Sequence, residues 1–403
     1  ALTFFAVLAL AAFYIAIEER NRRWAMLAWA AMGFAMITKG PVTFVLVLFV
    51  VIPYAIWRKS LRYVFSVIGL LLFAAVIAPW VWGVTRIVPE FLHYVLVIET
   101  AARVATDELE RTAPPWYFVP YLLAGAMPWS IVALFSWKRF KRPDPAIVYW
   151  TLAFAIPFVF FSLSQSKLPQ YILPLMAPLA LLIARVWNDV RTRAAAYAFA
   201  ILGSILAIGS FFAHRTPMRP ELMAVADEVA LMLGIVFLLG AVAALVLKRR
   251  EWVLIALTFP IVLLPLLTVP ALRAIGERRS AKTFVAELAP HVTPSTRIIG
   301  IEAFSGSMTF YLRRRITVVS RDASELTSNY LIRRYDRLTR DPRSPLKPLA
   351  WLQQSLASSE PRVYVVRRQD VQWRRLLEAR GWRVVADASH YVGYARRSGG
   401  ISR

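Results

Sequence analysis

Cysteine is absent from this chain of 403 residues, and histidine occurs only four times. The first absence excludes disulfides and thiolate chemistry. The second leaves little for metal binding: His93 has no second histidine or cysteine nearby, so an interfacial packing role is expected of it. Acidic residues are also scarce, 24 against 48 lysines and arginines, for a formal net charge of +24. Charged side chains are nearly missing from the middle of the long apolar runs, which argues against a transporter or ion pump.

What is present is apolar: 58% of residues are hydrophobic and the mean hydropathy is +0.54. Those values exclude an ordinary soluble domain. A pI near 10.9 would suggest nucleic acid in a soluble protein. Here the basic residues sit in short loops between apolar runs and in the C-terminal third, so membrane lipid or a lipid phosphate is the expected partner and nucleic acid is not.

Apolar runs long enough, or nearly so, to cross a bilayer cover residues 1–17, 24–37, 41–57, 64–85, 116–136, 146–163, 170–187, 194–213, 229–247 and 252–272. That makes about ten spans. Merging residues 24–57 would give a helix of roughly 50 Å, too long for the hydrocarbon core, and Gly40-Pro41 breaks it. With ten crossings, the basic clusters around Arg22, Arg58, Lys138, Arg191 and Arg249 share one side, the cytoplasm. The opposite side receives residues 38–41, 86–111, 164–169 and 214–227, and everything after the last span. Because Ala1 opens inside an apolar run with no charged n-region, it is no signal peptide, and the expectation is a fragment with residues missing upstream.

Beyond residue 272 the apolar runs shorten. Residues 297–301, 316–320, 362–367 and 382–386 read as short strands, residues 280–288 and 372–380 as helices, and the proline-rich 340–348 as a loop. The expected fold is a polytopic all-α membrane domain, residues 1–272, followed by a small α/β extracytoplasmic domain, residues 273–403.

Three stretches on the extracytoplasmic side carry chemistry. In residues 86–111, Pro89-Glu90 reads as a helix start, and Glu99, Arg103, Asp107 and Arg111 then follow at i,i+4 spacing. Such a ladder can be self-paired and solvated, or Arg103 can face an anionic ligand. Thr38-Lys39-Gly40-Pro41 is a tight turn whose lysine either snorkels at a helix end or meets an anion. Residues 164–171, including Lys167 and Tyr171, form a second turn, read either as a loop with an interfacial tyrosine or as part of a cationic cluster for a diphosphate or phosphodiester. Ser305-Gly306-Ser307 reads as a turn, Trp116-Tyr117 as an interfacial belt, and Asp227-Glu228 as a helix start.

Ile37-Thr38-Lys39-Gly40-Pro41, Pro89-Glu90-Phe91-Leu92-His93-Tyr94, Pro115-Trp116-Tyr117-Phe118 and the stretch from Phe161 through Ser164-Gln165-Ser166-Lys167-Leu168-Pro169-Gln170-Tyr171 to Pro174 resemble the bacterial aminoarabinose transferase and protein mannosyltransferase-like family. These are C-type membrane glycosyltransferases, and the likeness covers roughly residues 1–190. The C-terminal part matches loosely, through residues 308–313. The resemblance implies inverting transfer of a sugar from a polyprenyl-phosphate donor to a lipid A, protein or other cell-envelope glycan acceptor on the periplasmic face of the inner membrane. It implies a lipid-phosphate-binding site made of Lys39, Arg103, Glu99, Lys167 and Tyr171, Lys39 and Arg103 being the residues associated with the phosphate itself, Glu99 lying in the motif of Arg103, and Lys167 and Tyr171 in the later loop. Thr100 and Ile98 stand where family members have histidine, which weakens metal coordination there. No cofactor is expected, and a divalent metal is left open. The family's catalytic carboxylate falls upstream of residue 1. The competing reading is a non-catalytic polytopic protein of envelope glycan transport or assembly.

Overall fold

The computed structural model describes residues 1–93, 95, 113–136, 138, 144–212 and 220–396, with residues 220–224 and 278 described by backbone alone. It divides into two compact units, one formed by Ala1–Ile208 with Leu233–Val262 and the other by Gly209–Met232 with Leu263–Arg403.

The first unit is helical. Its elements are α1 (Leu2–Glu18), α2 (Arg22–Lys39), α3 (Val42–Trp57), α4 (Val67–Ile87), α5 (Phe118–Gly125), α6 (Trp129–Ser136), α7 (Pro145–Leu163), α8 (Met176–Val186), nearly all of α9 (Thr192–Ser210), the later part of α10 (Pro220–Val246) and the earlier part of α11 (Arg250–Leu267). By length and mean hydropathy, six helices among the described residues can cross a membrane: Val67–Ile87, Pro145–Leu163, Pro169–Asp189, Thr192–Ser210, Val225–Val246 and Arg250–Glu277. The chain is a multi-pass membrane protein. A seventh span counts only if α5 and α6 are taken together, and those two are bent by 111°. The sequence predicts one straight span there. Pro128 lacks the N–H that would continue the helix, so the ladder stops at Ala126 and restarts beyond it. α1 and α3 are also apolar but shorter, at 17 and 16 residues, and 17 residues rise about 26 Å. α2 carries Arg22, Arg23 and Lys39.

Large side chains hold this unit together. Phe13, Tyr54 and Tyr149 are fully buried, and the Tyr149 hydroxyl donates to Leu10 O at 2.6 Å, pinning α7 to α1. Trp29 Nε1 donates to Val64 O at 2.9 Å, tying α2 to the turn after α3. At the ends of α1 and α3, Glu18 accepts two bonds from Arg58, 2.8 and 2.9 Å, and one from the Tyr54 hydroxyl, 2.8 Å. α9 and α10 touch backbone to backbone: a Cβ on Gly234 would lie 2.6 Å from Ala207 N, so only glycine permits the crossing. α4 instead turns Val67, Ile68 and Leu71 outward, as a helix facing lipid does.

The second unit contains a six-stranded mixed sheet in the order β3-β2-β1-β4-β6-β5, where β1 is Arg297–Ile301, β2 Thr317–Ser320, β3 Leu346–Pro348, β4 Arg362–Arg367, β5 Arg383–Ala388 and β6 Tyr391–Ala395. β3, β2, β1 and β4 are parallel, and β6 and β5 add antiparallel. One face packs on Phe284, Leu288 and Met308, the other on Leu352, Leu356 and Leu377. β3 lies in the stretch that reads as a loop: Pro348 is tolerated because this edge strand pairs with β2 alone. β6 has no counterpart among the strands expected from the sequence. Its Tyr-Val-Gly-Tyr-Ala run is short, yet Val392 and Tyr394 are completely buried between β4 and β5.

Candidate functional site

The turn between α2 and α3 is built by Gly40. Its φ of 80° and ψ of −166° fall in a region that only glycine occupies freely, and its N–H closes on Met36 O at 2.7 Å. Thr38 Oγ1 bonds back to Ala35 O at 2.7 Å. Lys39 is thereby fixed as the last residue of α2, where the negative end of the helix dipole favours a cation. Gly40→Ala is expected to cost about 1–3 kcal/mol, read as a lowered thermal midpoint.

The second turn closes on itself. α7 ends at Leu163, and Lys167 Nζ donates to Ser164 O at 2.5 Å. Lys167 is only 6% exposed, and burial pulls its amine below the ordinary lysine value near 10.5. From that lowered value up to 10.5 the unfolded chain binds more protons than the folded one, so this group makes stability rise with pH across that window. Lys167→Met should flatten the rise, measured as the difference between native and variant melting curves from neutral to alkaline pH.

A 3₁₀ helix at Pro169–Leu175 follows and buries Tyr171. Its ring packs 5.3 Å from Phe161 and in a small cluster with Phe118, Ile172 and Leu175. The Tyr171 hydroxyl is buried with no hydrogen-bond partner among the described residues. Lys39 also lies against this ring, its Nζ 4.5 Å from the ring centre. Lys39 itself is exposed, and a cation over an aromatic face at an exposed site is worth about 0.5–1 kcal/mol.

Lys39 and Tyr171 border a cavity of about 420 Å³ that lies wholly inside the first unit. Apart from Thr3 of α1, its polar lining groups, Thr38, Lys39, Thr43, Ser164, Gln170 and Tyr171, come from the end of α2, the start of α3 and the turn after α7. From there the walls are apolar: Ala6 and Leu10 from α1, Leu46, Val47 and Val50 from α3, Ile77, Trp80 and Val81 from α4, and Ala153 and Pro157 from α7. Val50 lies eight residues past the start of α3, about 12 Å along its axis. The shape is an apolar slot with an ammonium at its polar end.

Lys39 and Tyr171 are therefore together, whereas Lys167 is not among the lining residues and directs its amine to Ser164 O. Glu99 and Arg103 lie outside the described residues, as does most of the charge ladder. The chain forms a short helical turn at Phe91–His93, and Phe91, Leu92 and Val95 line the cavity just ahead of that stretch. Nothing in the sequence signals the slot itself, because its walls are ordinary span residues. The Lys39–Tyr171 contact has a signal only in the two motifs.

Among known proteins, undecaprenyl phosphate-alpha-4-amino-4-deoxy-L-arabinose arabinosyl transferase 2 of Proteus mirabilis is 33% identical over 184 residues, 43% of this chain and 33% of that protein. The chain resembles the aminoarabinose transferases. The corresponding transferase of Pseudomonas aeruginosa is 27% identical over 339 residues, covering 79% of this chain and 61% of that protein. No protein-family model matches. The crystal structure of ArnT from Cupriavidus metallidurans bound to undecaprenyl phosphate superposes with a TM-score of 0.83 at 22% identity, over 100% of this chain and 75% of that one. The fold is thus that of an aminoarabinose transferase. The chain spans about a third of the length of the Proteus mirabilis relative.

Proposed function

We propose that the chain carries the lipid-phosphate half of an inverting glycosyltransferase that takes a sugar from a polyprenyl-phosphate carrier. The carrying observation is the Lys39 ammonium, seated over Tyr171 at the polar end of an apolar slot. An isoprenoid tail gains by burial against Leu46, Val47 and Val81, at ~0.8 kcal/mol per CH₂. Its phosphate meets Lys39 and the Tyr171 hydroxyl, with Arg103 as the second cation and Glu99 beside it in the same matched loop. As the sugar departs, negative charge gathers on the carrier phosphate, and pre-placed cations stabilise that charge in the transition state. Lys167 shapes the turn that presents Tyr171 rather than touching the phosphate. The general base is not assigned to any residue of this chain.

The relatives' names supply the donor class, an undecaprenyl phosphate-linked aminoarabinose. Lipid A, a protein or another envelope glycan is the acceptor. The proposed topology has ten crossings of the inner membrane, with the residue 38–41, 86–111 and 164–169 loops and the domain at residues 273–403 on the periplasmic side, and residues 1–272 as the membrane domain. The basic clusters on the opposite loops support it.

The test is transfer of labelled aminoarabinose from its polyprenyl-phosphate carrier to lipid A in membranes holding the full-length protein. Label in lipid A, lost when the carrier is replaced by the free sugar, supports the reading. Membranes that bind the carrier yet move no label to lipid A, protein or glycan favour a transport or assembly role instead.

A further inference from the structure

A second recess lies elsewhere in the first unit, between α6 and the start of α9, with a volume of about 670 Å³. That is within the range of built small-molecule sites. It has two halves. Val132, Phe135, Ala195 and Ala198 make an apolar wall, while Lys138, just past the end of α6, and Arg191, just ahead of α9, border it. Leu134 and Phe135, beside it on α6, are 59% and 82% exposed, as side chains facing acyl chains would be.

The recess is held open by packing independent of the slot. Trp129 at the start of α6 meets Trp187 at 6.0 Å and Phe199 of α9 at 5.2 Å. Arg250 donates to Trp187 O at 3.0 Å and Val190 O at 3.1 Å, which fixes the turn that presents Arg191. Asp189 also lines the recess and has a partner of its own. α9 starts at Thr192, so its positive end lies beside Arg191.

We propose that this recess binds an anionic phospholipid, its phosphate between Lys138 and Arg191 and its upper acyl chain against Val132 and Phe135. Charge complementarity selects the occupant. A basic pocket between membrane helices suits an anionic headgroup, and the adjoining apolar wall favours a lipid over a free anion. This site is separate from the polyprenyl-phosphate slot and does not depend on its assignment.

The test is native mass spectrometry of the delipidated full-length protein with equimolar phosphatidylglycerol and phosphatidylcholine of matched chains. Phosphatidylglycerol should be retained roughly 10-fold over phosphatidylcholine. The preference should fall towards parity in a Lys138→Gln/Arg191→Gln double variant, and in the native protein as salt is raised. Ala194→Trp, which fills the recess and keeps both cations, should lower retention of the lipid. Equal retention of the two lipids by the native protein overturns the proposal, as does a preference untouched by the double variant. If the double variant does not fold, a native preference that is insensitive both to salt and to Ala194→Trp overturns it equally. Displacement of the lipid by inorganic phosphate marks a free-anion site and overturns it as well.

Discussion

Lys39→Ala should lower sugar transfer from a polyprenyl-phosphate donor by about 10²–10³-fold, the usual loss when one pre-placed group that stabilises developing charge is removed. The ammonium is held from three directions: it ends α2 at a glycine-only turn, it sits 4.5 Å above the Tyr171 ring, and it borders the slot. Removing it leaves the fold intact, because Gly40 and Thr38 build the turn through their own bonds to Met36 O and Ala35 O. The loss should therefore appear mainly in kcat/KM, with the thermal midpoint lowered only by the loss of a cation–π contact worth about 0.5–1 kcal/mol. Lys39→Arg should recover part of it: the charge stays, but a planar guanidinium places its donors differently from an ammonium. Tyr171→Phe separates the two functions of the tyrosine. It keeps the ring under Lys39 and removes the hydroxyl, so its effect should be smaller than that of Lys39→Ala.

Val81→Trp should do the opposite: it should leave the phosphate end alone and penalise the tail. Val81 lines the slot from α4, and the adjacent Trp82 is exposed, so α4 is thinly covered at this level. An indole in the slot displaces isoprenoid carbons. Losing contact with even three of them forfeits about 2.4 kcal/mol at ~0.8 kcal/mol each, roughly a 50-fold weaker KM for a long-chain donor. A donor with a single isoprene unit should be nearly indifferent. Kinetics with donors of graded length on both variants check this: Lys39→Ala should hurt all lengths alike, and Val81→Trp should hurt in proportion to length.

Local chemistry is readable from the sequence where it is set by neighbours in the chain. Gly40-Pro41 separates α2 from α3 because a glycine ends one helix and a proline opens the next. β1 and β4 fall on Val- and Ile-rich runs, and the structure places them at the same residues. β6 escapes because its burial depends on β4 and β5 on either side, which a five-residue run cannot reveal. The site divides in the same way. Lys39 and Tyr171 stand in recognisable turns, but their contact joins α2 to a 3₁₀ helix far along the chain. The slot is silent in sequence, since Val47 or Val81 facing a cavity is written like any valine facing lipid. Lys167 reads in sequence as a lysine in a polar turn, and only the folded turn brings Ser164 O to its amine.

The slot behind Lys39 should hold the polyprenyl phosphate. Photo-crosslinking of the full-length protein with a polyprenyl phosphate carrying a benzophenone near its head, followed by peptide mapping, tests it most directly. Adducts should concentrate in residues 36–43 and 160–175, compete with unlabelled polyprenyl phosphate and fall sharply in Lys39→Ala. Adducts spread over the lipid-facing surface of α4 and α9, unchanged by competitor or by Lys39→Ala, would mean that the carrier does not occupy the slot.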